Sequence, residues 1–389
     1  MAIPFVYNVR NVVQRPVATF TTAIGVGLTV AVLLAAMALA EGFRSTLVAT
    51  GSPDNVMVMR KGADNEVSSG LALELASILR AHPNVATAAD GRPLASFEMV
   101  TTTNMTRAGN KGRSNLKVRG VNLQDIAMRT EPKIVEGRAF TPGTDELIVG
   151  DRISSRFEHC RVGDVIKFQK REFKVVGRFT TGGSSFESEL WGDAAVLMPV
   201  FHREGAYQIG VLRMKDPKGF AALKKQWEDD PRLGVDAERE IDFYTRQSSG
   251  TTGLIRGLGI FITVIMAVGA LFGAANTMFA AVANRTREIA TLLVLGFSPF
   301  AVMVSFVVES TLVALVGGVL GCLLALPING ITTSTTNFQS FSEVAFQFRV
   351  TPQLLVMALV FSAVLGALGG FFPALRAANQ PLSRGLRGG

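Results

Sequence analysis

Four long runs of uncharged, mainly apolar residues constrain this chain more than any other feature. They cover residues 17–40, 257–284, 298–326 and 350–375, and only the third contains a charge, Glu309. About 20 apolar residues are enough for a helix to cross the hydrocarbon layer of a bilayer. We therefore predict four membrane-spanning helices. The first run is too long for a signal peptide, whose apolar core is about 7–15 residues, so we expect it to be retained.

The charged residues are concentrated between the first and second runs. Residues 44–250 carry 30 of the 39 Lys and Arg residues and 27 of the 31 Asp and Glu residues. Strands are predicted at 55–59, 162–168 and 173–177, helices at 71–81 and 220–227, and exposed polar loops at 101–115 and 180–189. The predicted fold class is an α-helical membrane protein with four transmembrane helices, arranged 1+3, plus a large mixed α/β extracytoplasmic domain.

Basic residues beside the apolar runs predict the orientation. Short flanks rich in Lys and Arg stay in the cytoplasm. We therefore place both termini in the cytoplasm and expect a multi-pass protein of the bacterial cytoplasmic (inner) membrane. The net charge of +8 does not indicate nucleic-acid binding, because the excess in residues 44–250 is small. The basic flanking residues are Arg10, Arg15, Arg285, Arg287, Arg376, Arg384 and Arg387.

The predicted segments follow in order along the chain. An N-terminal helix with Ile3, Val6, Val9 and Val13 on one face would lie at the membrane interface. The alternative is a plain cytosolic extension of the first span. The predicted bounds are 1–16 for this interfacial helix, 17–42 for transmembrane helix 1, 43–252 for the extracytoplasmic domain, 253–283 for transmembrane helix 2, 284–297 for a cytoplasmic helix, 298–327 for transmembrane helix 3, 328–350 for an extracytoplasmic loop, 351–376 for transmembrane helix 4 and 377–389 for a cytoplasmic tail.

Motifs of catalysis are missing from the sequence. It contains no Gly-x-x-x-x-Gly-Lys-Ser/Thr phosphate loop, no His-Glu-x-x-His and no Gly-x-Ser-x-Gly. Cys160 and Cys322 are the only cysteines, and neither has the spacing of a metal or redox motif. We therefore predict no catalytic residues, no metal site and no cofactor bound by the chain itself.

Two features of the spans indicate contacts between helices. Glu309 is an ionisable residue inside a predicted span, and we interpret it as an intramembrane anchor; a proton relay is the alternative. Glycines spaced four apart allow helices to approach closely. The candidate packing glycines are Gly269, Gly273, Gly317, Gly321, Gly366 and Gly370.

The segment 284–297 lies between the second and third spans on the predicted cytoplasmic side. It has a charged start, an amphipathic continuation, a glycine that ends a helix at Gly296, and Pro299 just beyond. Such a helix can dock into a partner and transmit its motion to two spans. The alternative is a turn at the membrane edge with snorkelling arginines. The residues alone leave both interpretations open.

The sequence Arg-Thr-Arg-Glu-Ile-Ala-Thr-Leu-Leu-Val-Leu-Gly at 285–296 resembles the coupling segment of permeases in the MacB/FtsX/LolC superfamily of ABC transporters. The family pattern is roughly R-T-R-E-I-G-x-L-R-A-L-G-A. Further similarity to the family occurs at 25–28, 40–43, 309–321 and 372–378, and the strand pair at 162–179 resembles the family's external core. Leu293, Val294 and Phe297 depart from the pattern and make the coupling segment more apolar than is typical.

This resemblance implies the permease subunit of an ATP-driven exporter, itself not an enzyme. Motion of a separate ATPase, which binds ATP and Mg²⁺, would pass through the spans to the external domain and move substrate outward from the periplasm or outer leaflet. The residues that the resemblance assigns to ATPase coupling are Arg285, Thr286, Arg287, Glu288, Ile289, Leu292, Leu295 and Gly296.

The resemblance also implies partners other than the ATPase. These are a second permease copy in a homodimer or heterodimer, a periplasmic adaptor with an outer-membrane channel, and membrane lipids, but no nucleic acid. Since only 16 residues precede the first span, we expect the ATPase to be a separate chain. The alternatives within the superfamily are LolC/LolE-like lipoprotein extraction and FtsX-like signalling to a cell-wall hydrolase.

Overall fold

The computed structural model describes residues 4–14, 16–109 and 112–379. Its helices are α1 Phe5–Gln14, α2 Pro16–Val48, α3 Leu73–Arg80, α4 Leu123–Ile126, α5 Ala194–Val200, α6 Phe220–Asp229, α7 Glu240–Asn284, α8 Thr286–Val294, α9 Pro299–Ala325 and α10 Pro352–Ala378. Its strands are β1 Asn55–Arg60, β2 Leu71–Ala72, β3 Ala95–Thr106, β4 Arg113–Val121, β5 Lys133–Gly137, β6 Glu146–Gly150, β7 Val165–Phe168, β8 Arg171–Thr180, β9 Glu189–Asp193, β10 Ala206–Tyr207, β11 Ile209–Arg213, β12 Val235–Arg239, β13 Thr332–Thr336 and β14 Glu343–Gln347.

The chain forms two compact units. The helical unit comprises residues up to 41, 253–331 and from 348 onward, and the sheet unit comprises residues 42–252 and 332–347. Several predicted features lie outside the described residues or side chains, and they stay predictions. They are the apolar face of Ile3, Val6, Val9 and Val13, the flanking Arg15, and the tail at 380–389 with Arg384 and Arg387.

Four helices are long and apolar enough to cross a membrane. They cover Thr19–Val48, Glu240–Asn284, Pro299–Ile328 and Pro352–Ala378, so the prediction of four spanning helices is confirmed. Two of them extend beyond their apolar runs, because α2 continues to Val48 and α7 begins at Glu240. Hydropathy reports only the part of a helix that lies in hydrocarbon.

Local sequence explains where the third and fourth spans begin. The Ser298 hydroxyl accepts a hydrogen bond from the backbone N–H of Ala301 at 3.2 Å, and Pro299 follows at the first helical position. Thr351 and Pro352 start α10 in the same way, with the Thr351 hydroxyl accepting from Leu354 N–H at 3.4 Å. A hydroxyl cap followed by proline is a favourable helix start.

The sheet unit is built on one ten-stranded sheet. Its strand order is β12-β1-β11-β3-β4-β9-β6-β8-β5, with β7 paired to β8. The pairs β4–β9 and β6–β8 are parallel, and the other neighbours are antiparallel. The two tryptophans of the chain lie in separate cores of this unit, Trp191 with Phe179 and Phe186, and Trp227 with residues of α3, α6 and β1.

Two segments predicted to be exposed loops are ordered structure instead. Residues 101–106 belong to β3 and residues 113–115 to β4, because threonine is well suited to a pleated strand and Met99 to Thr106 pair with Gly120 to Arg113. Residues 185–188 are a short buried helix. Phe186 is fully buried there with its ring centroid 5.3 Å from that of Trp191, so aromatic packing outweighs the polar composition of the segment.

The predicted loop between spans three and four is largely a β-hairpin of the sheet unit. Strands β13 and β14 pair antiparallel, and residues 332–347 belong to that unit rather than to the helical one. The Arg107 guanidinium donates to the Glu343 carboxylate at 2.7 Å, and the Ala345 N–H donates to the Ser188 hydroxyl at 2.9 Å. These long-range bonds make the sheet unit discontinuous in sequence.

Candidate coupling site

The segment that sequence analysis singled out forms the short helix α8. Gly296 ends it with a φ of +91°, a conformation that glycine adopts without steric cost. The Phe297 N–H donates to Leu292 C=O at 3.1 Å, and the Gly296 N–H donates to Leu293 C=O at 3.2 Å. This pair of bonds is a Schellman motif, which satisfies carbonyl groups at the helix end. The turn therefore fixes the length of α8 and the direction in which the chain enters α9.

One face of α8 is packed into the helical unit. Ile289 is 1% exposed and belongs to an apolar cluster with Val282 of α7, with Val302 and Phe306 of α9, and with residues of α10. Burying an isoleucine side chain contributes about 1.5–3 kcal/mol relative to leaving it exposed. This packing connects α8 to three of the spanning helices.

Arg285 and Glu309 form a buried ion pair. The Arg285 guanidinium donates to the Glu309 carboxylate at 2.8 and 3.1 Å, and the two side chains are 5% and 7% exposed. The anchor predicted at Glu309 thus has Arg285 among its partners. The resemblance assigns Arg285 to ATPase coupling, and in the structure its side chain points into the helical unit. A buried guanidinium is occupied by its counter-charge, and this geometry assigns Arg285 to the interior rather than to a docking surface.

The opposite face of α8 is exposed and combines charge with apolar surface. Arg287 and Glu288 lie at its charged start, and the Glu288 side chain is 60% exposed. At its end, Val294 is 63% exposed and Leu295 is 65% exposed. Exposed apolar side chains bordered by charges are typical of a docking surface. We call Arg287, Glu288, Val294 and Leu295 the outer face of α8.

The N-terminal helix contacts the same region. The Tyr7 hydroxyl donates to the Glu288 carboxylate at 3.2 Å, and Arg285 Nε lies 3.9 Å from the same carboxylate. Deeper in the unit, the Ser305 hydroxyl donates to the Asn8 side-chain oxygen at 2.6 Å in a buried site. Polar contacts therefore connect α1, α8 and α9. Sequence analysis did not predict the contacts of Tyr7 and Asn8, because an amphipathic pattern shows which residues share a face and not what that face meets.

Four of the six candidate packing glycines make close contacts. A Cβ atom at Gly317 would lie 2.6 Å from Ala23 C=O, and one at Gly321 would lie 2.5 Å from Gly27 C=O, so α9 packs closely on α2. Gly366 and Gly370 pack in the same manner against Ser310 of α9. At Gly269 and Gly273, an added Cβ would meet no atom of the described chain within 4 Å. These two glycines leave an open stripe on α7.

The first turns of α7 are held in the sheet unit by a group that we call the buried ionic cluster. Arg119 is fully buried and donates to Glu98 and Glu189 at 2.6 Å and to Glu66 at 3.1 Å. Arg129 continues the network to Glu98 and to the start of α7. The members are Glu66, Glu98, Lys117, Arg119, Arg129, Glu189, Glu240 and Tyr244, of which Glu240 and Tyr244 belong to α7.

The charges of this cluster make the sheet unit sensitive to acid. Burial alone would raise the pKa of Glu98, but the Arg129 and Arg119 guanidinium groups hold that pKa below its usual value of 4.5. Burial also opposes the charge of Glu66, whose pKa is nevertheless lowered by Arg119 and Lys117. A carboxyl whose pKa is lower in the folded than in the unfolded state stabilises the fold above the unfolded pKa, and this contribution is lost as pH falls.

We therefore expect the urea midpoint of the sheet unit to be steady from pH 7 to about 5 and to fall below about 4.5. Tryptophan fluorescence of the full-length protein measures this, since both tryptophans are buried in the sheet unit. The Glu98→Gln variant serves as the control, and its midpoint should depend less steeply on pH. A wild-type midpoint that rises between pH 5 and pH 3 would contradict the assignment.

The cysteines are separate and free. Cys160 is buried in a core of the sheet unit, where burial raises the pKa of its thiol to about 12. The thiolate is the reactive form of cysteine, so this side chain is inert at neutral pH.

Comparison with known proteins places these features in a family. The sequence matches the MacB-like periplasmic core domain over residues 19–229 and the FtsX-like permease C-terminal domain over residues 260–382. An uncharacterized ABC transporter permease of Methanocaldococcus jannaschii is 28% identical over 240 residues, which cover 59% of this chain and 58% of that protein. The macrolide export ATP-binding/permease protein MacB 2 of Yersinia pestis is 27% identical over 313 residues, which cover 74% of this chain and 43% of that protein.

The chain therefore spans about half the length of the curated relatives it matches. Among solved structures, the periplasmic region of MacB from Actinobacillus actinomycetemcomitans aligns with 51% of this chain and 93% of its own, at a TM-score of 0.38 and 14% identity. The extracellular domain of the transporter YknZ from Gram-positive bacteria aligns with 47% of this chain and 99% of its own, at a TM-score of 0.35 and 12% identity.

Proposed function

The chain belongs to the MacB/FtsX superfamily of ABC-transporter permeases, and from this premise we propose that it is the permease subunit of an ATP-driven exporter. In this proposal the chain is not catalytic, binds no cofactor of its own, and receives motion from a separate ATPase that holds ATP and Mg²⁺. It lies in the bacterial inner membrane with both termini in the cytoplasm. The observation that carries the proposal is the outer face of α8, exposed on a helix whose inner face is packed into the spans.

Two structural features support transmission through the permease. The Arg285–Glu309 pair and Ile289 link α8 to the interior of the helical unit. Helix α7 runs without interruption from Glu240, a member of the buried ionic cluster, to Asn284, beside α8. A continuous helix carries axial and rotational displacement over its whole length, because every backbone hydrogen bond resists its deformation. Motion at α8 would thus reach the sheet unit, which would move substrate outward from the periplasm or outer leaflet.

A second permease copy would complete the assembly. The open stripe at Gly269 and Gly273 on α7 is a suitable contact, because small residues let two membrane helices approach closely. We propose a homodimer or heterodimer on this basis, with a periplasmic adaptor and an outer-membrane channel as further partners.

The test is a reversal of charge on the outer face of α8. In the variant Arg287→Glu with Glu288→Arg, we expect capture of the ATPase by the tagged permease to fall roughly ten-fold, because charged pairs at an interface are replaced by repulsive ones. Tryptophan fluorescence should be unchanged, since both tryptophans lie in the sheet unit. Capture is measured by mass spectrometry of complexes purified from membranes in mild detergent.

The matched control is the exposed ion pair of Asp230 and Arg232, which lie 2.6 Å apart in the sheet unit. Exchanging these two residues should leave ATPase capture at the wild-type level. Equal capture by the α8 variant and the wild type would refute the coupling role of this face. The same purification identifies the remaining partners: an adaptor supports the exporter, a cell-wall hydrolase indicates FtsX-like signalling, and a lipoprotein chaperone indicates LolC/LolE-like extraction.

A further inference from the structure

The sheet unit contains a polar cavity of about 530 Å³ that the exporter proposal does not use. It lies between the turn at 151–156, the glycine loop at 182–183 and the open end of the β13–β14 hairpin, where Thr332 pairs with Gln347. Residues of both signs line it. The lining side chains that matter are Asp151, Arg152, Arg156, Glu187 and Gln347.

Both carboxylates of the lining are already neutralised. The Glu187 carboxylate accepts hydrogen bonds at 2.9 Å from the backbone N–H groups of Thr181 and Gly183, and Arg152 Nε lies 3.0 Å from it. The Asp151 carboxylate accepts from Arg178 at 2.6 Å. Each carboxylate is thus in contact with another arginine and not with the remaining cation of the lining.

Arg156 is that cation. In the part of the chain that the structure describes, no carboxylate oxygen lies within 4 Å of its guanidinium, and its Nη1 atom is enclosed without a hydrogen-bond partner. Among the described residues, the guanidinium makes a long hydrogen bond of 3.4 Å from Nη2 to Thr332 C=O. Burial lowers the pKa of Arg152, and the positive charge of Arg156 lowers it further, against the carboxylates of Glu187 and Asp151. Arg156 is thus the guanidinium of the lining that has no carboxylate contact within the described residues.

We propose that this cavity binds a phosphate group, with Arg156 as its principal ligand and Arg152 as an electrostatic support. A guanidinium offers paired N–H donors that match the oxygens of a phosphate, and the bond is strengthened by charge. An added anion would supply the hydrogen-bond partner that Nη1 of Arg156 lacks. This inference is independent of the exporter function, since it concerns only side chains of the sheet unit.

The position of the cavity in the sequence allows two sources for the phosphate. Only residues 326–331 separate α9 from Thr332, and only residues 348–351 separate Gln347 from α10. The hairpin ends that line the cavity are therefore close in sequence to two spanning helices, whose ends meet the headgroup layer. A lipid headgroup and a soluble phosphate compound share the chemistry that Arg156 would recognise.

The experiment measures stabilisation of the full-length protein by phosphate. The protein is held in dodecyl maltoside micelles, which contain no phosphate, and thermal unfolding is followed by tryptophan fluorescence at constant ionic strength. One arm adds inorganic phosphate, and the other adds phosphatidylglycerol to the micelles. A ligand that binds only the folded state raises the unfolding temperature. We expect a rise of several degrees in the wild type in at least one arm.

Two variants decide the outcome. Arg156→Gln should require at least ten-fold more ligand for the same rise, whereas Arg161→Gln, at an exposed arginine of the same unit, should behave as the wild type. If inorganic phosphate stabilises the wild type and this effect is lost in Arg156→Gln, the cavity binds a soluble phosphate compound. Protection by the lipid alone, lost in the same variant, establishes it for a headgroup. No rise in either arm, or an equal rise in Arg156→Gln, overturns the proposal.

Discussion

Replacing Arg119 by methionine is expected to destabilise the sheet unit by about 3–5 kcal/mol, the cost of removing one partner from a buried ionic network. Arg119 is fully buried and bonded to Glu66, Glu98 and Glu189. Without the guanidinium, three buried carboxylates lose their shared counter-charge and repel one another. At roughly 2–4 °C per kcal/mol for a domain of this size, the unfolding temperature should fall by on the order of 10 °C.

The measurement is thermal unfolding of the full-length protein followed by tryptophan fluorescence. Trp191 is well placed to report it, because its indole N–H donates at 2.9 Å to Glu189, a partner of Arg119. Arg161→Met serves as the control, since Arg161 is exposed, and it should change the unfolding temperature by less than about 2 °C. A similar small change for Arg119→Met would show that the cluster contributes nothing to stability.

Replacing Glu309 by leucine is expected to destabilise the helical unit by a comparable 3–5 kcal/mol. The change leaves the Arg285 guanidinium buried without this carboxylate, which it contacts at 2.8 Å. Replacing Arg285 by methionine should destabilise the helical unit less than Glu309→Leu does. A carboxyl group can take up a proton and become neutral, whereas a guanidinium keeps its charge. The fraction of tagged protein that stays monodisperse in size-exclusion chromatography after heating measures the effect.

The double variant Arg285→Met with Glu309→Leu tests whether the pair itself causes the loss. Apolar residues of similar volume often replace a buried ion pair at little cost, so we expect the double variant to recover most of the stability lost in Glu309→Leu. If the effects of the two single changes simply add, the residues do not act as a pair. The Arg285–Glu309 contact would then be irrelevant to the stability of the helical unit.

The spans could be predicted from the sequence because the hydrophobic length of a bilayer imposes a strong, local signal. The end of α8 could also be predicted from the sequence, since Gly296 supplies the conformation that a Schellman motif requires. The family resemblance rested on short motifs distributed along the chain, of which the segment at 285–296 is one. Each of these inferences depends on residues that are close together in the chain.

The features that the sequence did not predict depend on contacts between distant residues. Lys117 and Arg119 alternate with Leu116 and Val118, as on a strand with one face in solvent, but the charged face is covered by Glu66 and by α7. No residue near Lys117 and Arg119 in the sequence indicates that this charged face is covered. The Arg285–Glu309 pair was not predicted for the same reason, because Glu309 lies on the next helix. Periodicity shows which residues share a face, and only tertiary structure shows what that face meets.

The β13–β14 hairpin determines when the sheet unit can finish folding. Ser188 and Arg107 precede their hairpin partners, Ala345 and Glu343, by 157 and 236 residues of chain. A ribosome has therefore synthesised all of α9 before those partners exist, so the sheet unit stays incomplete while the third span is inserted. A fragment ending at Thr252 would lack the β13–β14 hairpin, so Ser188 and Arg107 would lose their hairpin partners. Completion of the sheet unit therefore depends on synthesis of the third span.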